Sequence, residues 1–212
     1  MKLLTILALI ATALPCLAQH DAETMLNPCE TTEGMTIDTG ADWPGTALEV
    51  NTDPRYITEG AASVRLSGTS PADATGNSYL CLALPIPPTD FTDGVTLRLD
   101  AATSTPDQSE ALYVRGYNAA GECVLSWASW SGLLTDRMQT FELHPGMSYA
   151  GMAWEADAVE GREPRGVVKL RIYTGTHNAG QAFDIFVDNV RTGRSEVQSF
   201  QNVTKMSNAC PA

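Results

Sequence analysis

The sequence predicts an all-β protein, an antiparallel β-sandwich of two sheets, and three observations carry that reading. First, residues 167–193 read VVKLRIYTGTHNAGQAFDIFVDNVRTG, in which Val168, Leu170 and Ile172 alternate with Lys169, Arg171 and Tyr173. A Gly/Asn turn leads on to Phe183, Ile185, Val187 and Asn189, alternating with Asp184, Phe186, Asp188 and Val190. Period-two alternation split by turn residues marks a half-buried antiparallel pair. Second, short apolar runs bounded by Gly, Pro, Asn, Asp and Thr recur along the chain. Third, helical periodicity is absent.

In order, strands are expected over 35–38, 46–51, 62–67, 78–84, 95–101, 111–117, 122–129, 139–143, 167–174 and 182–192. Evenly spaced strands without intervening helices fit Greek-key or jelly-roll connections, here a jelly roll. Residues 145–165 form one long irregular segment, whose Met147, Tyr149, Met152 and Trp154 point to packing rather than disorder. One sandwich domain over 19–193 and a polar tail over 194–212 account for the chain, since all-β folds of about 200 residues are common as single units. A chain of this size buries roughly 70% of its unfolded surface and folds without staples.

The first residues bear on compartment. Lys2 precedes an apolar run over 3–14 that is too short to span a membrane, and Leu17-Ala18 offers a small-residue cleavage site. A signal peptide over 1–18 is therefore expected, and with it a secreted, periplasmic or extracellular product. Cys16 raises a lipoprotein reading, but Leu14 and Pro15 stand where a lipobox wants small residues. No later apolar run reaches the roughly 20 residues of a membrane helix, so no membrane insertion is expected. With 13 Lys+Arg against 25 Asp+Glu, a net charge of −12, the chain is a poor match for nucleic acid or anionic membranes. A neutral ligand or a cation suits it better.

Cleavage leaves Cys29, Cys81, Cys123 and Cys210, none in a CxxC pair. In an oxidising compartment the even count reads as two disulfides. Of the three pairings, Cys29–Cys210 with Cys81–Cys123 is expected, because sandwiches often bring their end strands together. Asn202-Val203-Thr204 is a glycosylation sequon if the source is eukaryotic.

The hairpin over 111–129 sets the candidate binding face. Asn118-Ala119-Ala120-Gly121 suits a type I turn closed by a G1 bulge, which pairs Tyr117 with Cys123, Arg115 with Leu125 and Tyr113 with Trp127. Those six then point outward, while Leu112, Val114, Val124 and Ala128 face the core. A plain four-residue loop flips the second strand and buries Trp127, because a one-residue slip exchanges the faces. In the first register one sheet presents Tyr113, Tyr117, Trp127 and Tyr173 around Arg98, Arg115 and Arg171. Rings flanked by bidentate donors match the apolar faces and hydroxyl edges of sugars. Cross-strand pairing explains such aromatics singly.

Several motifs add a resemblance. Thr58-Glu59-Gly60-Ala61-Ala62-Ser63-Val64-Arg65-Leu66, the proline-ended strand over 79–85, the Thr96-Leu97-Arg98-Leu99-Asp100 strand and the closing Val187-Asp188-Asn189-Val190-Arg191 resemble the strands of β-sandwich carbohydrate-binding modules and their galactose-binding-like relatives. Pro28-Cys29-Glu30 stands where Phe-Glu is common in that family. The resemblance implies a non-catalytic protein that binds a glycan or polysaccharide, beside other secreted proteins. It also implies a structural calcium tying the first strand to the last, with Glu30 and Asp188 as candidate ligands and backbone oxygens near Gly60 and Ser63. Capping of a turn is the other reading of Asp188-Asn189.

Two alternatives stand beside the glycan-binding reading. One is a sandwich that binds protein. The other is a jelly-roll glycoside hydrolase, because Glu155, Asp157 and Glu160 share the E-x-D-x-x-E spacing of laminarinase-type enzymes. Against it, Ala156 and Ala158 replace branched residues, and few strands follow. His20, His144 and His177 are isolated, and no HExxH, G-x-S-x-G or P-loop motif occurs.

Overall fold

A computed structural model describes residues 23–39, 43–72, 78–109, 111–129, 133–149, 151–176 and 178–194. The expected signal peptide, most of the polar tail, Cys210, His20, His177 and Asn202 lie outside the described residues. Twelve strands are seen among the described residues: β1 (Thr24–Asn27), β2 (Thr36–Ile37), β3 (Ala47–Asn51), β4 (Ser63–Thr69), β5 (Ser78–Thr89), β6 (Val95–Ala102), β7 (Ala111–Asn118), β8 (Cys123–Ser129), β9 (Gln139–Leu143), β10 (Ala153–Trp154), β11 (Val167–Thr176) and β12 (Ala182–Arg194). Helical structure among these residues is confined to single 3-10 turns at Pro54–Tyr56, Pro106–Gln108 and Asp157–Val159.

The strands form two antiparallel sheets. The first runs β3-β4-β12-β6-β9, with β1 also paired to β12, and the second runs β10-β8-β7-β11-β5-β2. The expected alternation supplies the core between them. Leu80, Leu82 and Leu84 of β5, Leu112 and Val114 of β7, Leu97 and Leu99 of β6, and Ile185 and Val187 of β12 are fully buried in one cluster. Each such side chain contributes roughly 1.5–3 kcal/mol on leaving water. Among the described residues no helix is long and apolar enough to cross a membrane.

Among several bulges in the described strands, two bear on the expected site residues. In the β7–β8 hairpin Tyr117 pairs with Cys123 as expected, but Gly116 pairs with Leu125 and Val114 with Trp127, so Val124 is an extra residue on β8. One inserted residue inverts the alternation beyond it. In β12, Asp188 pairs with Asp100 and Arg191 with Arg98, again one residue too many. Asn189 absorbs the excess at φ 52°, a left-handed conformation that Asn tolerates better than most residues. Asp188-Asn189 therefore lies within the strand, which continues to Arg194 and pairs with β1. β1 and β10 are strands that the pattern did not indicate; β10 lies inside the segment expected to be irregular.

Candidate ligand-binding face

The outward side of the second sheet carries aromatic and cationic residues in rows set by register. Tyr173 of β11 lies between Tyr113 of β7 and Cys81 of β5. Two residues along, Arg171 lies between Arg115 and Ala83, and two further, Lys169 lies between Tyr117 and Pro85. The edge strand β10 pairs Trp154 with Trp127 and so delivers Glu155 beside Ser126, whose carbonyl accepts from the Glu155 amide at 3.0 Å. Tyr79, Tyr113, Arg115, Glu155 and Tyr173 line an open depression of about 280 Å³.

Charge and hydrogen bonding hold these side chains in place. Arg115 donates from Nη2 to Glu155 Oε2 at 3.2 Å and from Nε to Ser126 Oγ at 3.2 Å. Ser126 Oγ also donates to Glu155. The Arg115 guanidinium sits 5.7 Å from both the Tyr113 and Tyr173 ring centres. Arg171 pairs with Asp38 and lies 4.8 Å from the Tyr117 ring centre. Tyr79 meets Tyr113 edge-on at 5.3 Å, with the two hydroxyls 3.3 Å apart. Burial, and then the Tyr79 hydroxyl, push the Tyr113 phenol up. Burial, followed by the Tyr117 hydroxyl, does the same for Tyr173. Both stay neutral phenols able to donate, while the nearby guanidiniums stay charged, so the depression offers ring surface and both kinds of hydrogen-bonding group.

Of the seven residues expected on this face, the structure brings together Tyr113, Arg115, Tyr117, Arg171 and Tyr173. Trp127 corrects the expected register. It is 0% exposed, packs at 5.4 Å against Trp154, and donates from Nε1 to the His144 carbonyl at 2.9 Å. The bulge at Val124 is the cause; by the same inversion Ala128 faces outward against Ala111 and Tyr113. Arg98 belongs to β6 in the other sheet, where it pairs with Glu142 at 2.8 Å and with Glu23. Its outward alternation was legible, but which sheet held β6 was not.

Tyr79 and Asp38 are residues of this face that the sequence reading left out, and Glu155 is one that it singled out only for a carboxylate spacing, not for this face. The alternation that put Leu80, Leu82 and Leu84 inward also put Tyr79 outward, so its signal was present. Glu155 had none, because its position depends on the pairing of β10. The Glu155, Asp157, Glu160 spacing does not assemble a carboxylate group: Glu155 faces the depression, while Asp157, opening a 3-10 turn, and Glu160 beyond it are exposed. His144 accompanies Glu142 at 3.1 Å in the other sheet's network.

The Cys81–Cys123 disulfide is corrected as well. Among the described residues Cys29, Cys81 and Cys123 are not joined to one another. Cys81 and Cys123 do share the outward face, yet β11 and β7 lie between their strands. Three strand spacings come to about 14 Å, twice the roughly 7 Å that a disulfide's Cα atoms can span. Burial pushes the Cys81 thiol up to about 12. The partner proposed for Cys29 lies outside the described residues.

A second polar cluster lies against the first sheet, under the loop before β4. Asp188 Oδ2 accepts from the Thr58 amide at 2.7 Å and the Thr58 hydroxyl at 2.9 Å, and that hydroxyl is also 2.7 Å from Asp100 Oδ2. Asn189 Nδ2 donates to Asp100 at 3.0 Å. Asp188 Oδ1 and Asn189 Oδ1 are buried without hydrogen-bond partners among the described residues. Glu30 accepts from the Ala61 amide at 3.0 Å and crowds Gly60 so closely that a Cβ there would stand 1.6 Å from Glu30 Oε1. Glu30, Glu59, Gly60 and Asn189 share a second depression of about 260 Å³. Among the described residues no three acidic, histidine or cysteine side chains converge as a metal-binding group, so a cation here would need amide and backbone oxygens too.

No protein-family model and no curated protein sequence matches the chain. Solved structures do. The family 11 carbohydrate-binding module of a cellulosomal cellulase of Clostridium thermocellum is similar at a TM-score of 0.50 and 14% identity, over 82% of this chain and 95% of that one. A structure of promiscuous carbohydrate-binding modules from the β-sandwich superfamily is similar at 0.51 and 17% identity, over 82% of this chain and 62% of the other. An exo-β-agarase gives 0.53 and 16% identity over 81% of this chain, which spans only 25% of the enzyme. At these identities the likeness is one of fold: this chain has the antiparallel β-sandwich architecture of carbohydrate-binding modules.

Proposed function

We propose that the protein is a secreted, non-catalytic glycan-binding β-sandwich whose ligand lies across the outward side of the second sheet. The observation that carries this reading is the depression lined by Tyr79, Tyr113 and Tyr173 with Arg115 and Glu155 at its side. Ring faces suit the C–H faces of a sugar, and a carboxylate beside a guanidinium suits its hydroxyls. Half-buried Tyr79 and Tyr173 supply the accessible ring surface, whereas Tyr113 is 6% exposed and supports them from beneath. Tyr173→Ala is expected to weaken retention on a polysaccharide by up to about tenfold, the equivalent of an aromatic contact of 0.5–1.5 kcal/mol. Undiminished retention by a folded Tyr79→Ala/Tyr173→Ala protein excludes this face. Hydrolysis of a polysaccharide that disappears in Glu155→Gln would instead favour an enzyme.

The same reading includes a structural calcium at the second cluster. The donor chemistry fits a hard cation, because Asp188 Oδ1 and Asn189 Oδ1 are buried oxygens without a donor. Asp188, Asn189 and Glu30 would hold it, with backbone oxygens near Gly60. Arg191 already serves Asp100 at 3.3 Å, so the ion would answer the remaining oxygens of Asp188, Asn189 and Glu30, tying the segment before β4 to β12. Calcium at a hundredfold excess over its Kd adds about 2.7 kcal/mol to stability. Chelation is expected to lower the melting temperature of wild type, with the effect lost in Asp188→Ala; identical melts with and without chelator rule the site out.

A further inference from the structure

We infer that the glycan is acidic, a polysaccharide bearing uronate carboxylates, and that Lys169 with Arg162 receives one of them at the Tyr117 end of the face. The inference rests on the glycan-binding reading and names its ligand class. The observation is a mismatch of charge. Two cations of the face already have carboxylates of this chain, Arg115 with Glu155 and Arg171 with Asp38. Lys169, next along β11, has no carboxylate partner among the described residues. Its ammonium group lies 5.6 Å from the Tyr117 ring centre. Arg162 donates to the carbonyl of Cys123, the residue paired with Tyr117, at 2.8 Å, and it too has no carboxylate partner among the described residues. Arg171 Nε is buried without an acceptor among the described residues. The carboxylate of the adjoining hairpin turn, Glu122, accepts from Asn118 at 2.9 Å, which leaves Lys169 and Arg162 unmatched in a chain that carries 25 acidic residues against 13 basic ones.

Geometry connects this end to the aromatic depression. Tyr173 and Lys169 are four residues apart on one strand and share its outward side, so about 13 Å separates them. A sugar seated on Tyr79 and Tyr173 leaves its neighbours along a chain to run past Arg171 towards Lys169. A carboxylate is the anion chosen because the face already matches its guanidiniums with carboxylates, from Glu155 and Asp38. The chain's overall negative field is screened beyond about 8–10 Å at ordinary salt, so the local surplus decides contact.

The test uses affinity electrophoresis and calorimetry of the chain without its expected signal peptide. The probes are polygalacturonate, alginate, the methyl ester of polygalacturonate, dextran sulfate and a neutral mixed-linkage β-glucan. Binding to a carboxylated polymer, loss on esterification, weakening with added salt and a roughly tenfold drop in Lys169→Gln, the loss of one charge-assisted hydrogen bond, support the inference. Partial recovery in Lys169→Arg, with a melting curve equal to wild type, adds the readout that a merely structural role would not give. Binding of the ester or of the neutral glucan as tightly as the acid overturns the acidic assignment and leaves the glycan-binding reading standing. A preference for dextran sulfate over both uronate polymers overturns it too. Binding to none of the polymers overturns both.

Discussion

Replacing Trp127 with alanine is expected to unfold the protein far more readily, and the reason lies in the bulge at Val124. The indole is 0% exposed, meets Trp154 edge-on at 5.4 Å and donates to the His144 carbonyl at 2.9 Å. Truncating a buried Trp costs roughly 3–5 kcal/mol through lost transfer energy and the cavity left behind. The aromatic edge contact and the orphaned carbonyl put this site near the upper end, about 4–5 kcal/mol. In a domain of 150–250 residues each kcal/mol moves the midpoint by about 2–4 °C, so a fall of roughly 10–15 °C is expected. Thermal melts followed by circular dichroism measure it, and urea titrations at constant m-value check that stability rather than compactness has changed. Trp127→Phe, which refills most of the space, is expected to recover more than half of the loss. A Trp127→Ala protein melting within about 2 °C of wild type refutes the inverted register, since that is the behaviour of an outward ring.

Two further perturbations probe other parts of the fold. Gly60→Ala forces a side chain onto a φ of 74° and into Glu30 Oε1, so a loss of about 1–3 kcal/mol is expected in denaturant titrations. Adding Glu30→Ala should return part of it, and simple additivity of the two changes excludes the clash. Burial raises the Cys81 thiol from 9.0 to about 12 in the folded state. Its contribution is present in full below pH 9 and is lost as pH rises towards 12, because the unfolded thiol ionises first. Melting temperature should therefore fall across that window, less so in Cys81→Ala, and native Cys81 should resist alkylation at pH 8. Rapid native labelling at pH 8 contradicts the burial.

Legibility in the sequence followed the range of the interaction that each feature depends on. Strands β4 to β9, β11 and β12 announced themselves because each carries its own period-two alternation, and a half-buried strand needs no more than its neighbours in sequence to show that pattern. The inward leucines of β5 and the outward set Lys169, Arg171 and Tyr173 of β11 were readable for the same reason. β1 and β10 were not, since neither carries an alternation that sets it apart from its surroundings and both exist through pairing with β12 and β8; β2, equally short, was caught only as part of the run over 35–38.

The sequence by itself therefore determined the all-β class, most strand positions and five of the residues gathered on the outward face. Tertiary structure alone decided three further matters. Val124 became an extra residue on β8, which buried Trp127 in place of displaying it. Strand order put Arg98 in the first sheet and set Cys81 and Cys123 three strands apart. Pairing of β10 brought Glu155 to Arg115 across 40 positions of sequence. Alternation is a local property of the chain, whereas register beyond a bulge and neighbourhood within a sheet are settled by hydrogen bonds between distant segments, which leave no local pattern to read.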